Sequence, residues 1–178
     1  MVGGQSRAVV VVRKACPGDV DCTYEIESEP PVVGDSYCKE LMSTLRPSTY
    51  CAEVQGKVVG FIIAHMRTEA AFRREKRGLI CKTKVPRLGA QWKHVLKIIN
   101  IRVLATHQNK GIATQMVRHV LAAHKKHKFV DYETPYDKTH VIAKCLPAQE
   151  YEQICGVQSG AGAYSSGATA HRFCFERK

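Results

Sequence analysis

One stretch of the chain, residues 98–126, most constrains the fold. It begins with I-I-N-I-R-V-L at 98–104, a run rich in β-branched residues that predicts a buried strand. The turn Q-N-K-G-I-A at 108–113 follows and opens a helix. Apolar side chains recur along one side of that helix at Ile112, Met116, Val117, Val120 and Leu121. The sequence therefore predicts a strand, a tight turn and an amphipathic helix.

The predicted turn is suited to binding an anion. The first N–H groups of a helix have no intrahelical acceptor, and the helix dipole adds positive potential there. Gly111 and Ala113 lack bulk, so a phosphate can approach the backbone closely. The spacing is neither the P-loop G-x-x-x-x-G-K-[ST] nor the dinucleotide fingerprint G-x-G-x-x-G. The turn is therefore an anion site of another kind.

Length and charge bound the class of protein. A chain of 178 residues fits one domain, 1–178, with a single core. Its 27 basic residues against 16 acidic ones favour an anionic ligand or partner. It has no apolar run long enough for a membrane span and no apolar leader after Met1, so we expect a cytoplasmic protein without membrane contact.

Cysteine and histidine spacing argues against a metal site. Eight cysteines are scattered without a C-x-x-C pair, which favours reduced thiols over a disulfide frame or zinc. His124 and His127 have helical spacing, but they lie in a lysine-rich segment without a third ligand. We expect no bound metal.

The order of elements predicts a fold of class α/β (α+β). We expect a strand at 8–15, helices at 19–27 and 36–45, and a hairpin of 49–54 and 58–65 around Q-G-K. After the central helix come a strand at 139–146, a helix at 147–154 and a strand at 170–176. This order resembles that of a known superfamily, which implies a mixed central sheet of six or seven strands flanked by about four helices.

Residues 67–97 differ in composition and form a basic insertion between two central strands. They carry ten Lys or Arg and two acidic residues. Such a segment is either a solvated loop or a basic patch for coenzyme A phosphates, an acidic partner or RNA. Both interpretations stay open.

The motif Q-x-x-G-x-A behind an apolar strand resembles the acetyl-CoA pyrophosphate loop of the GNAT acetyltransferase superfamily. The resemblance covers nearly the whole chain and implies the GNAT fold, acetyl-CoA as cosubstrate and an amine as acceptor. It implies that backbone N–H groups of the turn bind the pyrophosphate and that the strand pairs with the pantetheine arm. The implied cofactor-binding residues are Ile101, Arg102, Val103, Gln108, Asn109, Lys110, Gly111, Ile112, Ala113 and Thr114.

Within that superfamily the layout is most similar to serotonin (arylalkylamine) N-acetyltransferase. The similar segments are Y-E-I-E-S-E at 24–29, G-F-I-I at 60–63, the long insertion and Y-E-Q-I-C-G-V at 151–157. The resemblance implies a small arylalkylamine acceptor and Tyr151 as the acid that protonates the leaving thiolate. Ile98 and Asn100 stand where that family has two histidines as a base; Asn100 could hold a water but cannot accept the proton. Other candidates for the base are Glu27, Glu29, His65 and His140.

Two further functions stay open. The phrase N-I-R-V at 100–103 followed by Gln108 looks more like the N-terminal protein acetyltransferases, which implies a peptide N-terminus as acceptor. A non-catalytic acyl-CoA or nucleic-acid binding module would also keep this layout, and the basic insertion would be its nucleic-acid surface. The sequence does not define the acceptor or the oligomeric state.

Overall fold

The computed structural model describes residues 9–19, 21–22, 26, 49–68, 95–134, 141–159 and 170–178, with the main chain alone at 133–134, 154–159 and 170–172. The expected helix at 36–45, most of the one at 19–27 and most of the basic insertion lie outside them. The strands are β1 Val10–Lys14, β2 Thr49–Val54, β3 Lys57–Arg67, β4 Val95–Val103, β5 Phe129–Thr134, β6 Tyr151–Ser159 and β7 Ala170–Arg177. Among the described residues the α-helices with defined bounds are α1 Ile112–Ala123 and α2 Val141–Lys144, residues 21–22 and 26 are also helical, and 3₁₀ turns occur at Pro17–Asp19 and Ala105–His107.

The seven strands form one sheet in the order β1-β2-β3-β4-β5-β7-β6. Every neighbouring pair is antiparallel except β4 and β5, which run parallel and are connected through α1. The parallel pairing begins at Val95 opposite Phe129 and ends at Ile98 opposite Tyr132. Beyond that point the two strands separate, although β4 continues to Val103. The predicted mixed sheet is confirmed.

Helix α1 covers one face of the sheet, called here the α1 face. Its buried residues are Ile112, Met116, Val117 and Val120, four of the five predicted; Leu121, the fifth, is half-buried against the same core. They pack with side chains from the central strands: Ala52, Ile62, Ala64, Leu96, Ile98 and Val130. The other face of the sheet, called here the opposite face, carries a smaller cluster of Ile26, Cys51, Phe61 and Ile63. The main core therefore lies between α1 and the sheet.

The hairpin of β2 and β3 confirms the prediction. Gln55 and Gly56 form its turn with φ of 52° and 76°, in the left-handed region that glycine adopts without strain. Farther along β3, Gly60 lies opposite Val103. A Cβ added to Gly60 would lie 2.8 Å from the Arg102 carbonyl oxygen, so glycine permits this close contact between β3 and β4.

A β-bulge interrupts β4 beside the point where β5 departs. Ile63 pairs with Asn100, whereas the next residue, Ala64, pairs with Ile98. Ile99 is therefore the extra residue of the bulge. The bulge and the end of the β4–β5 pairing fall at the same level of the sheet.

Two predicted elements after α1 are wrong. The predicted strand at 139–146 is wrong over its described part, 141–146, because Val141–Lys144 is helix α2. Ile142 of α2 is buried together with Cys145 and Leu146, which directly follow the helix, and all three pack in the main core with α1. The strand beside β4 is instead Phe129–Thr134, which the sequence analysis did not predict.

The predicted helix at 147–154 is also wrong. The N–H groups of Glu150 and Tyr151 both donate to the Pro147 carbonyl, which makes a tight turn. Strand β6 then begins at Tyr151, opposite Arg177 of β7. Pairing with β7, with a register shift between Gln153 and Cys155, gives the segment from Tyr151 onward a ladder of hydrogen bonds that outweighs its weak helical pattern.

Candidate active site

The turn between β4 and α1 is open to solvent and shaped by two residues with positive φ. Asn109 has φ of 59° and Gly111 has φ of 79°, and residues 108–111 are all exposed. Helix α1 begins after Gly111, whose carbonyl accepts from the Gln115 N–H at 3.0 Å. Within the part of the chain that the structure describes, no side chain caps this end of the helix. The first N–H groups of α1 are therefore available to an anion.

Two side chains from the turn fold back on it and fix its shape. The Gln108 side-chain amide donates to the Val103 carbonyl at 3.1 Å, and the Lys110 ammonium donates to the Thr106 carbonyl at 2.8 Å. The Gln108 backbone N–H also donates, to Ala105 at 3.3 Å. Of the backbone donors expected to bind an anion, the Gln108 N–H therefore already has an acceptor.

The segment of β4 before the turn has one unpaired edge. On β3 its partners are Gly60, Phe61 and Ile62, opposite Val103, Arg102 and Ile101 respectively. On the side of β5, pairing stops at Ile98, so within the described residues no strand covers 99–103 there. An extended ligand arm could add to this edge as a strand would. The open edge and the turn belong to one strand–turn–helix unit.

Asn100 lies beside the bulge on the opposite face, half-buried and across from Ile63. Among the other candidates for the base, His65 is described; it lies on the same face, across from Lys97. Glu27, Glu29 and His140 lie outside the described residues. The sequence analysis missed Asp131, which pairs with Lys97 in register and is fully buried. The available signal was an acidic residue inside the apolar run F-V-D-Y.

Tyr151 is the first residue of β6, and its side chain is buried. The Tyr151 hydroxyl lies 2.9 Å from Nε2 of His127, which is also buried. The Nδ1 atom of His127 contacts the His124 carbonyl. A carbonyl only accepts, so Nδ1 carries the hydrogen and Nε2 accepts from the Tyr151 hydroxyl. Burial lowers the pKa of His127 and raises the pKa of Tyr151, so both groups stay neutral at pH 7.

The structure brings the turn together with residues 101–103 and Asn100, but it places Tyr151 elsewhere. His127 follows the C-terminal end of α1, whereas the turn precedes its N-terminal end. Twelve helical residues separate these ends by about 18 Å. Tyr151 also lies at the level of Arg177 and Phe129, and thus beside the start of β4.

A family profile described as acetyltransferase (GNAT) family matches residues 19–143, more than half of the chain. The chain belongs to the GNAT acetyltransferase family. It is thus an acetyl-CoA-dependent N-acetyltransferase, with acetyl-CoA as cosubstrate.

Solved structures of this fold superpose on almost the whole chain. The diaminobutyrate acetyltransferase EctA from Paenibacillus lautus, bound to L-2,4-diaminobutyric acid and coenzyme A, has 18% identity and a TM-score of 0.66, covering 95% of both chains. The polyamine N-acetyltransferase of Drosophila melanogaster, which forms N-acetylagmatine, has 12% identity and a TM-score of 0.62, covering 94% of this chain and 100% of that one. Arabidopsis thaliana Naa50, bound to the bisubstrate analogue CoA-Ac-MVNAL, has 14% identity and a TM-score of 0.61, covering 93% and 97%. These likenesses show the fold alone.

A search of curated protein sequences gives no significant match. Within the described part of the chain, no helix has the length and apolar character needed to cross a membrane.

Proposed function

We propose that the chain acetylates a small primary amine, an arylalkylamine in the first instance, by direct attack of the amine on the thioester of acetyl-CoA. One observation carries this proposal: the open edge of β4 leads through the turn at 104–111 into the N-terminus of α1, whose first N–H groups are available. A cosubstrate with an amide-rich arm and a pyrophosphate matches both features in that order. The edge offers strand-like hydrogen bonds, and the helix offers N–H groups and positive potential.

Each part of the unit has one task in the proposed reaction. The N–H groups of Ile112, Ala113 and Thr114 bind the pyrophosphate. The edge of β4 from Ile101 to Val103 holds the pantetheine arm, and one N–H on this edge faces the thioester oxygen. The neutral amine attacks the carbonyl carbon, the C–N bond forms, the C–S bond breaks, and the thiolate takes up a proton.

The bond between Tyr151 and His127 bears on the proton that the thiolate takes up. As the candidate acid, Tyr151 would have to release its hydroxyl from His127 and reach the sulfur atom. As a core residue, it would only connect β6 to the end of α1. The variant Tyr151→Phe separates these two roles.

A peptide N-terminus is the second candidate acceptor. The phrase around Asn100 together with Gln108 favours it, and the analogue in the Arabidopsis thaliana structure joins coenzyme A to a peptide. The small amine is favoured by the similar segments at 24–29 and 151–157. The diaminobutyrate and polyamine enzymes of similar fold also acetylate small amines.

The test is release of free coenzyme A from acetyl-CoA with four acceptors: tryptamine, agmatine, diaminobutyrate and a short peptide with a free N-terminus. We expect the highest kcat/KM with tryptamine. Release with the peptide alone would refute the small-amine proposal and support a peptide N-terminus as the acceptor. Tight binding of acetyl-CoA in calorimetry, with no release for any acceptor, would indicate a binding module instead.

A further inference from the structure

An acceptor can reach the open edge of β4 from one side of the sheet. On the α1 face, Ile98 is buried under α1, and Ile101 and Val103 pack against the same core. On the opposite face, Ile99 packs against the smaller cluster, whereas the polar side chains of Asn100 and Arg102 are half-exposed beside the bulge. An amine that attacks a thioester on this edge therefore approaches from the opposite face, and the group that takes its proton has to lie there.

Three ionisable side chains form a row across that face, one strand apart from each other. His65 on β3 lies opposite Lys97 on β4, and Lys97 lies opposite Asp131 on β5. Cross-strand partners in register point to the same face of a sheet. Asp131 has no exposed surface, whereas His65 and Lys97 are half-exposed. The row runs beside the point where β4 and β5 separate.

We propose that His65 accepts the proton of the acceptor ammonium, directly or through one water, and that Asp131 is the negative charge that balances Lys97 beside it. This inference rests on the proposed function and names the base that the reaction needs. His65 lies on β3, the strand next to β4, opposite Lys97. Lys97 is two residues away from the bulge along β4. Strand spacing and rise then place the His65 Cα about 8 Å from the bulge. An imidazole and one water span that distance.

The other groups on this face do not suit the role. Asn100 and Thr49 cannot take up a proton at neutral pH, and Lys97 and Arg102 are cations already. An incoming amine cannot reach the Asp131 carboxylate, because this residue is fully buried. Of the described residues on the opposite face, His65 is the one imidazole, and its half-exposed position keeps it accessible.

The charges balance at each step. The ammonium gives one proton to His65 and becomes a neutral amine, and His65 becomes an imidazolium. The amine then forms the C–N bond, and the thiolate leaves with the electron pair of the C–S bond. The second proton that the nitrogen loses goes to the thiolate, directly or through water, so the products are a neutral amide and a free thiol. The imidazolium returns its proton to water. During this interval the row carries two cations, so the nearby carboxylate of Asp131 stabilises the protonated His65.

The experiment compares His65→Gln with the wild type for two acceptors of similar size, one with an amine pKa near 10 and one with an amine pKa below the assay pH. The first is almost entirely protonated at pH 7 and needs a base; the second is already neutral. We expect kcat/KM to fall about 100-fold or more for the first acceptor and less than about 3-fold for the second. His119→Gln is the matched control, because His119 is an exposed histidine on α1 that packs beside Tyr50 at 5.0 Å between ring centroids.

An equal loss for both acceptors would overturn the proposal, because a base affects only the protonated amine. An unchanged rate with both acceptors would overturn it as well. Binding of coenzyme A and the rate with the neutral amine report on the fold of the variant and on the proposed function separately. One outcome is that coenzyme A binding and the rate with the neutral amine both persist in His65→Gln while the protonated amine reacts at the wild-type rate. In that case the chain is an acetyltransferase, but His65 is not its base.

Discussion

The two ends of helix α1 differ in how their backbone groups are satisfied. At the N-terminal end, Gly111 is exposed with a positive φ, and no side chain of the described residues caps the first N–H groups. At the C-terminal end, the Val120 and His124 carbonyls accept from the chain that follows, and the Arg177 guanidinium donates to the Lys125 carbonyl. The Tyr151 hydroxyl completes this arrangement through His127.

Because of this difference, the N-terminal end of α1 is suited to binding a ligand, and the C-terminal end is suited to stabilising the fold. Unused donors at an exposed helix start favour an anionic ligand, because water is their other partner. The C-terminal end contains the buried hydrogen bond from Tyr151 to His127, which is costly to break, although Nε2 of His124 is buried there without a hydrogen-bond partner among the described residues. We therefore expect substitutions at the N-terminal end to change ligand affinity and substitutions at the C-terminal end to change stability.

The largest expected effect is at Gly111. In Gly111→Glu the carboxylate opposes the pyrophosphate and the left-handed backbone disfavours the side chain, so we expect coenzyme A affinity to fall by about 100-fold or more. Gly56→Glu is a matched control, because Gly56 has φ of 76°, against 79° for Gly111, and both have open space where a Cβ would lie. Titration calorimetry on both variants isolates the site; equal affinities would refute the assignment of the loop.

The second effect is at Gly60, beneath the open edge of β4. In Gly60→Ala the new Cβ lies 2.8 Å from the Arg102 carbonyl oxygen, so the backbone of β4 or β3 has to shift. We expect a loss of about 1–3 kcal/mol in the free energy of unfolding, together with weaker coenzyme A binding. Gly18→Ala is the control, because a Cβ there meets no atom within 4 Å. Urea unfolding and calorimetry measure both quantities; a loss of stability with unchanged affinity would separate Gly60 from the ligand edge.

Local sequence signals predicted the elements that form from neighbouring residues. The hairpin around Gly56 and the strand–turn–helix unit each have a turn and an apolar pattern within about 30 residues. Strand β5 escaped prediction because Asp131 interrupts its apolar run, and its burial comes from pairing with β4 and β7. In α2, Val141 and Ile142 suggested a strand, although Ile142, Cys145 and Leu146 already had helical spacing.

In the candidate site, too, the sequence predicted the part that neighbouring residues form and not the part that long-range contacts form. The turn at 108–113 is local, and its residues stand where the motif predicts them. The row of His65, Lys97 and Asp131 depends on two strand registers, and the contact of Tyr151 with His127 joins residues 24 positions apart. Sequence spacing carries no information on either, because long-range pairing of strands sets both.

The third prediction concerns Tyr151→Phe, which removes the hydroxyl and leaves Nε2 of buried His127 without its donor. We expect a loss of about 1–2 kcal/mol in the free energy of unfolding and an unchanged affinity for coenzyme A. If Tyr151 is also the acid, kcat falls by about 10-fold or more under conditions where the variant is fully folded. A wild-type kcat would leave Tyr151 with a structural role alone, and unchanged stability would contradict the buried hydrogen bond.

The smallest expected effect is the pH dependence that His127 gives to stability. Burial lowers its pKa in the folded chain, whereas in the unfolded chain it has the ordinary value of about 6.5. Above pH 6.5 both states are neutral; as the pH falls below 6.5 the unfolded chain binds a proton that the folded chain does not, so stability decreases. From pH 6.5 to 5.5 one such group removes at most about 1 kcal/mol.

His124, whose pKa burial also lowers, adds in the same direction, so the wild type is compared with His127→Gln. We expect a shallower slope of unfolding free energy against pH in the variant; equal slopes would show that His127 titrates alike in both states and that the C-terminal end of α1 is not sealed.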